Sequence, residues 1–187
     1  MRACGGRRRI HTTHFESENS MSLIESTTAW CKAEIFGSYI YLTTGILLLG
    51  FTMGLWRIGT TETSKALVVP FLVVALFAIA GSTGLILSNT KRIQDYREQY
   101  NADSSAFQQN EIKRIEKVVN GYRSILVTVG VLMIIAVGMY LLFKSPLIQS
   151  IALAIMLFSF FSFMLEHFSR ARSLAYQKEM MELTGKK

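Results

Sequence analysis

Apolar and polar positions along the chain separate into blocks. Residues 35–56, 66–87, 124–143 and 147–165 contain no Asp, Glu, Lys or Arg, in runs of 22, 22, 20 and 19 residues. A helix of about 20 predominantly apolar residues crosses the ~30 Å hydrocarbon layer and satisfies its own backbone groups on the way. The pattern therefore predicts an all-α membrane protein with four transmembrane helices. Beyond the runs the apolar spacing stays helical. Ile93, Tyr96 and Tyr100 fall at i, i+3 and i+7, and Ile112, Ile115, Val119 and Tyr122 resume that spacing after the turn-forming Asn101-Ala102-Asp103-Ser104-Ser105. Leu23 and Trp30 before the first run do the same, as do Ala171, Leu174, Ala175 and Met181 after the fourth. Four helices should therefore extend past the membrane and pack there, with Ile93, Tyr96, Ile112, Ile115 and Val119 mutually buried.

The chain order reads as two tandem helical hairpins. A shift of 84 places Gly54 on Gly138 and Trp56 on Tyr140, and a shift of 80 places Arg92 on Arg172 and Tyr96 on Tyr176. The expected organisation is a disordered or non-native extension over 1–21, a first repeat over 22–100, a linker over 101–109, a second repeat over 110–183 and a tail over 184–187. Both prolines, Pro70 and Pro146, are expected near the start of their helices, where a missing donor costs least. Gly50 and Gly54 on the first run, with Ala80 and Gly84 on the second, suggest close packing inside the first hairpin. Phe158, Phe160, Phe161, Phe163 and Phe168 surround the fourth run with aromatic bulk, which suits a helix facing lipid or a partner rather than the centre of a bundle.

Charge sets the expected orientation. Of the 20 Lys and Arg, only Arg57, Lys65 and Lys144 lie in the loops 57–65 and 144–146; the rest flank the other ends of the runs. Cytoplasmic segments carry the Lys and Arg excess, so both termini and the middle connection are expected inside, in a multi-pass protein of the cell (inner) membrane. The net charge of +7 is explained by this topology signal and by contact with the lipid bilayer, because the basic residues alternate with Asp95, Glu98, Glu111 and Glu116; nucleic acid is not an expected partner.

Gly54-Leu55-Trp56, Lys65 nine residues on, Leu76-Phe77 and the basic exit through Lys91, Arg92 and Asp95 resemble the two-helix repeat of the YiaA/YiaB-like small bacterial inner-membrane proteins; the second half keeps Gly138-Met139-Tyr140. Those proteins are tandem-hairpin proteins without an established biochemical role. The resemblance thus implies architecture and no activity.

Candidate chemistry is sparse. The runs carry no ionisable residue of the kind that coupled transporters place at membrane depth. No phosphate loop, nucleophile elbow, HExxH or CxxC pair occurs, so no catalytic residue, cofactor or metal is expected, and no enzyme. Cys4 and Cys31 form no disulfide or metal framework. His11 and His14 lie in the basic prefix, and Glu166 with His167 reads as a juxtamembrane cap. Two candidate surfaces remain. Arg92, Arg97 and Arg114 are expected to face a protein partner on the cytoplasmic side. Thr43, Thr44, Ser82, Thr83, Thr128, Ser159 and Ser162 fall in the inner half of the bilayer, where they either line a cavity or serve as helix glue. The expected function is a small integral-membrane accessory protein with a regulatory, assembly or immunity-type role, with homo-oligomerisation open. The alternative is a small-molecule carrier or channel subunit with an inward-facing hydroxyl-lined cavity.

Overall fold

The computed structural model describes residues 8–183, with side chains from Leu23 onward. The basic prefix with Cys4, His11 and His14, and the tail 184–187, lie outside the described side chains. The chain forms four helices, α1 (Arg8–Ile58), α2 (Glu62–Ala102), α3 (Ser104–Leu142) and α4 (Pro146–Leu183), and the described residues contain no strand. All four are long and apolar enough to cross a membrane, which makes this a multi-pass membrane protein. At 1.5 Å per residue the 41 residues of α2 span about 62 Å, roughly twice the hydrocarbon thickness.

The turns are short because each helix end is capped locally. Thr61 begins α2 with a capping box: its hydroxyl accepts from the Ser64 N–H at 3.1 Å, and its own N–H donates to Ser64 Oγ at 3.1 Å. Between α2 and α3 the sequence suggested a linker over 101–109, yet only Asp103 is non-helical. This one residue caps both helices. Its N–H donates to the Gln99 carbonyl at 3.1 Å, and Oδ1 accepts from Ser105 N and Ala106 N, each at 3.0 Å. Pro146 opens α4 as expected, whereas Pro70 sits inside α2. The Thr61 box starts that helix before the apolar run does, so Pro70 interrupts the hydrogen-bond ladder about two turns in.

Within the charge-free runs, buried positions are mostly small: Thr52 on α1, Ala75, Ala78 and Ser82 on α2, Ala136 on α3, and Ala152 and Ser159 on α4, with Val129 on α3 the larger exception. Small side chains let helices approach where lipid leaves no hydrophobic drive between them. Large side chains such as Leu47, Phe77, Ile134 and Leu142 stay exposed, which suits a surface facing acyl chains. The glycine that lets α1 meet α2 is Gly45, where an added Cβ would lie 2.9 Å from Ile79 Cγ1 and 3.1 Å from Ala78 Cβ. Gly50, Gly54 and Gly84 have open space beside them, so the Gly50/Gly54 pattern does not pack within the pair. Motif spacing places two glycines on one face without saying which face meets the neighbour.

The helix α4 also departs from expectation. It packs along α3 and against both α1 and α2, whereas α2 and α3 have little contact. Its two faces differ: Ser150, Ala152, Ala154 and Ser159 are buried among the other helices, while Phe160, Phe163 and Phe168 are exposed. The aromatic bulk is real but confined to one side, which leaves the small-residue side free to enter the centre.

Beyond the runs, the start of α1, the end of α2, the start of α3 and the end of α4 share one apolar cluster of Leu23, Trp30, Cys31, Tyr96, Phe107, Ile115, Tyr176 and Met180. Tyr96 and Ile115 are buried, and Ile93, Ile112 and Val119 are partly buried against them. The edges of Tyr96 and Tyr100 both meet the Phe107 ring, at 5.4 and 5.8 Å between centroids. On α4, however, the inward face is Ser169, Ser173, Tyr176 and Met180, and Ala171, Leu174, Ala175 and Met181 are exposed. Hydrogen bonding, not hydrophobicity, chooses that face.

Candidate functional site

The polar groups of the protein converge where the charge-free runs end. Two carboxylates anchor the arrangement. Glu111 is 3% exposed and takes the Arg114 guanidinium in a two-pronged ion pair, with Nε donating to Oε2 at 2.7 Å. Tyr176 donates to Glu111 Oε1 at 2.9 Å. The Thr27 hydroxyl, which donates to the Leu23 carbonyl at 2.8 Å, lies 2.7 Å from the Tyr176 oxygen. Arg114 also lies over the Trp30 ring at 4.6 Å, and Trp30 stacks on Tyr176 at 5.5 Å. Burial alone would lower the Arg114 pKa, but the Glu111 bond and charge outweigh it and the guanidinium is held charged. Burial pushes the Tyr176 phenol up, and the Glu111 charge adds to this.

The second anchor is Glu34. Its Oε1 accepts from Arg172 Nε at 3.0 Å and its Oε2 from Ser169 Oγ at 2.6 Å. Counting one proton per hydroxyl fixes the direction of the chain behind it. Trp30 Nε1 donates to Ser173 at 3.2 Å, Ser173 to Tyr122 at 3.2 Å, Tyr122 to Ser169 at 2.8 Å, and Ser169 to Glu34. Each bond polarises the next towards the carboxylate. The two anchors thus join α1, α3 and α4 through one buried polar system.

Beside this system lies a pocket of about 430 Å³ bounded by all four helices. Its polar wall includes Glu34 and Glu166 with Arg92 and Lys117; Leu85 and Ile125 form its apolar side. Glu166 and Lys117 make no hydrogen bond or ion pair among the described residues, and Arg92 donates only to Asn89 Oδ1 at 3.2 Å. Burial, with the nearby Glu34 charge, raises the Glu166 pKa above the usual carboxylate range. Glu166 is therefore more than an end cap. His167, next to it, is exposed and lies against Phe163 and Phe168. The described residues hold no group of His, Cys, Asp and Glu arranged for a metal ion.

The three arginines expected on a partner surface occupy different settings. Arg97 is exposed, Arg92 lines the pocket, and Arg114 is spent inside the cluster on Glu111 and Trp30. The hydroxyls do not gather either. Thr43, Thr44, Ser82, Thr83 and Thr128 each bond a carbonyl of their own helix, to Tyr39, Ile40, Ala78, Ile79 and Ser124. Thr43, Thr83 and Thr128 face outward, while Thr44 lies at an apolar groove of about 470 Å³ between α1 and α4. Ser159 is buried with no hydrogen-bond partner, and Ser162 stands beside the Tyr41 hydroxyl. Sequence reasoning missed Glu34, Glu111, Ser169 and Ser173. The available signal was spacing: Trp30–Glu34 and Ser169–Ser173–Tyr176 repeat at helical intervals on runs that read as ordinary solvated faces.

No family model matches the chain, and neither a curated protein nor a solved structure matches it.

Proposed function

We propose that this chain is a small, non-enzymatic accessory protein of the cell (inner) membrane that engages a protein partner through the helical ends carrying the polar cluster, in a regulatory, assembly or immunity-type role. The observation that supports it is the cluster itself. All four helices continue past their charge-free runs into a shared core, an investment that a pure membrane anchor does not need. The Lys and Arg excess at those ends supports their being cytoplasmic. Two tandem hairpins, as in the YiaA/YiaB-like proteins it resembles, account for the pairing of α1 with α2 and α3 with α4, and for the burial of both Tyr96 and its shift-of-80 counterpart Tyr176. The carrier reading has less support, because five of its seven hydroxyls bond their own helices and three of the seven face outward.

The test uses cations on the surface and spares those inside. Reversing Arg97 and Lys113, both exposed, to Glu should abolish co-purification with the partner while the protein still inserts and folds. Alanine at Thr43, Thr44, Ser82 and Thr83 together should leave it intact. A cellular phenotype lost in the quadruple alanine variant and kept in the charge-reversed one would favour transport instead.

A further inference from the structure

The junction pocket combines three properties that together specify an occupant. The first is depth. Every helix contributes near the point where its charge-free run meets its polar continuation: Glu34 immediately before the first run, Arg92 five residues after the second, Lys117 seven residues before the third and Glu166 immediately after the fourth. In a membrane-spanning chain that level is the layer of lipid headgroups. The second is charge. Glu34 is already held by Arg172 and Ser169, whereas Glu166, Arg92 and Lys117 line one cavity without pairing with each other. Half-buried Arg92 and Glu166, with exposed Lys117 at the rim, leave charges of both signs apart and call for a ligand that carries both complements. The third is access. Arg92 and Lys117 come from α2 and α3, which have little contact with each other, leaving a lateral way in from the bilayer. Towards the apolar runs the pocket is lined by Leu85 and Ile125, apolar surface suited to the first carbons of acyl chains.

We propose that this pocket binds a zwitterionic aminophospholipid, with its phosphate on Arg92 and Lys117 and its primary ammonium on Glu166. The shared chemistry is a phosphodiester two carbons from an amine, as in phosphatidylethanolamine. A primary ammonium brings N–H donors to the Glu166 carboxylate, which has none in the protein. A choline headgroup brings charge without a donor, and a glycerol headgroup leaves Glu166 unpaired beside a phosphate. The site thus discriminates through what the wrong lipid leaves unsatisfied. Its volume lies within the usual range for small-ligand sites. The elevated Glu166 pKa fits the same picture, since an ammonium partner would draw it back down. The inference does not rest on the partner reading above, whose test residues Arg97 and Lys113 do not line the pocket.

Native mass spectrometry of the full-length protein in detergent tests it directly. Presented with equal amounts of phosphatidylethanolamine, phosphatidylcholine and phosphatidylglycerol of identical chains, the wild type should retain the ethanolamine lipid several-fold over the other two. Glu166→Gln should bring it level with the choline lipid, and Lys117→Gln, at an exposed position, should weaken retention of all three. Thermal unfolding in detergent identifies variants that keep the fold; Glu166→Gln imitates the protonated acid that burial already favours. Equal retention of the three lipids by the wild type, or an ethanolamine preference that survives Glu166→Gln, would overturn the proposal. Soluble O-phosphoethanolamine in large excess should leave the lipid bound, because it lacks the chains that hold the lipid at this depth. Complete displacement would keep the headgroup chemistry but overturn the lipid as occupant.

Discussion

Tyr176 on α4 donates its hydroxyl proton to Glu111 on α3 at 2.9 Å, and this contact ties a buried carboxylate to the apolar cluster. Glu111 already holds Arg114 in two places, so both of its oxygens are engaged. Removing the carboxylate leaves Arg114 charged and largely enclosed over Trp30. Glu111→Ala should therefore destabilise the protein by about 3–5 kcal/mol, while Tyr176→Phe, which leaves Arg114 on the carboxylate, should cost only about 1–3 kcal/mol. Thermal midpoints in detergent read the order; equal losses would mean that the pair carries no weight beyond packing.

Ile115 is fully buried in the same apolar cluster as Trp30 and Tyr96. Ile115→Ala should cost about 2–5 kcal/mol through lost burial and the cavity left behind. Ile115→Asp should cost more, since it places a carboxyl in an apolar core. Limited proteolysis around Asp103 should accelerate in the same order, and unchanged cleavage would show that the four helical ends do not depend on one another.

Cys31 is completely enclosed, and burial pushes its thiol up to about 11. It should resist maleimide at neutral pH even in detergent-solubilised protein and react only after denaturation. Its protection in intact cells would say nothing about sidedness. Orientation is better read from cysteines placed at exposed positions on opposite ends. Thr60→Cys should label with an impermeant reagent in intact cells, and Ser104→Cys should label only after permeabilisation; the neighbouring Thr61 is spared because it caps α2.

The pH dependence follows from Glu166. Its pKa is raised in the folded protein by burial and by Glu34, with Arg92 from α2 and Lys117 from α3 lining the same pocket. A carboxyl whose pKa is higher folded than unfolded contributes stability when protonated, and that contribution is lost as pH rises from the usual carboxylate range through the elevated value. Glu166→Gln should flatten the fall in thermal midpoint across that window and leave the variant at least as stable as wild type at neutral pH. A steeper fall in the variant would mean that Glu166 is ionised and paired in the fold.

Much of the architecture was legible because membrane crossing imposes a length and bans charge, two properties that a sequence displays openly. The cluster beyond the runs was legible for Ile93, Tyr96, Ile112 and Ile115, whose helical spacing survives outside lipid. On α4 the same reasoning chose Leu174 and Met181 over Ser173 and Tyr176, because hydropathy ranks a serine below a leucine even where the serine completes a chain of hydrogen bonds. Arg114 failed for a related reason: an arginine on a polar helix reads as solvated until its carboxylate and aromatic neighbours are placed by the fold. Lateral contacts between helices, such as Gly45 with Ala78, depend on rotation about the helix axis, which spacing alone leaves free.

Asp103 is the sole non-helical residue between two helices that each run without interruption from the apolar layer into the polar cluster. Such a joint transmits angle. It lies 16 residues beyond the end of the 66–87 run, about 24 Å along the axis, so a 10° change in the tilt of α2 swings it by roughly 4 Å. Bilayers of different thickness change helix tilt at modest cost. With no flexible segment to absorb the motion, the thickness of the surrounding lipid is converted into a displacement at the far end of a lever, where α2 and α3 must move together.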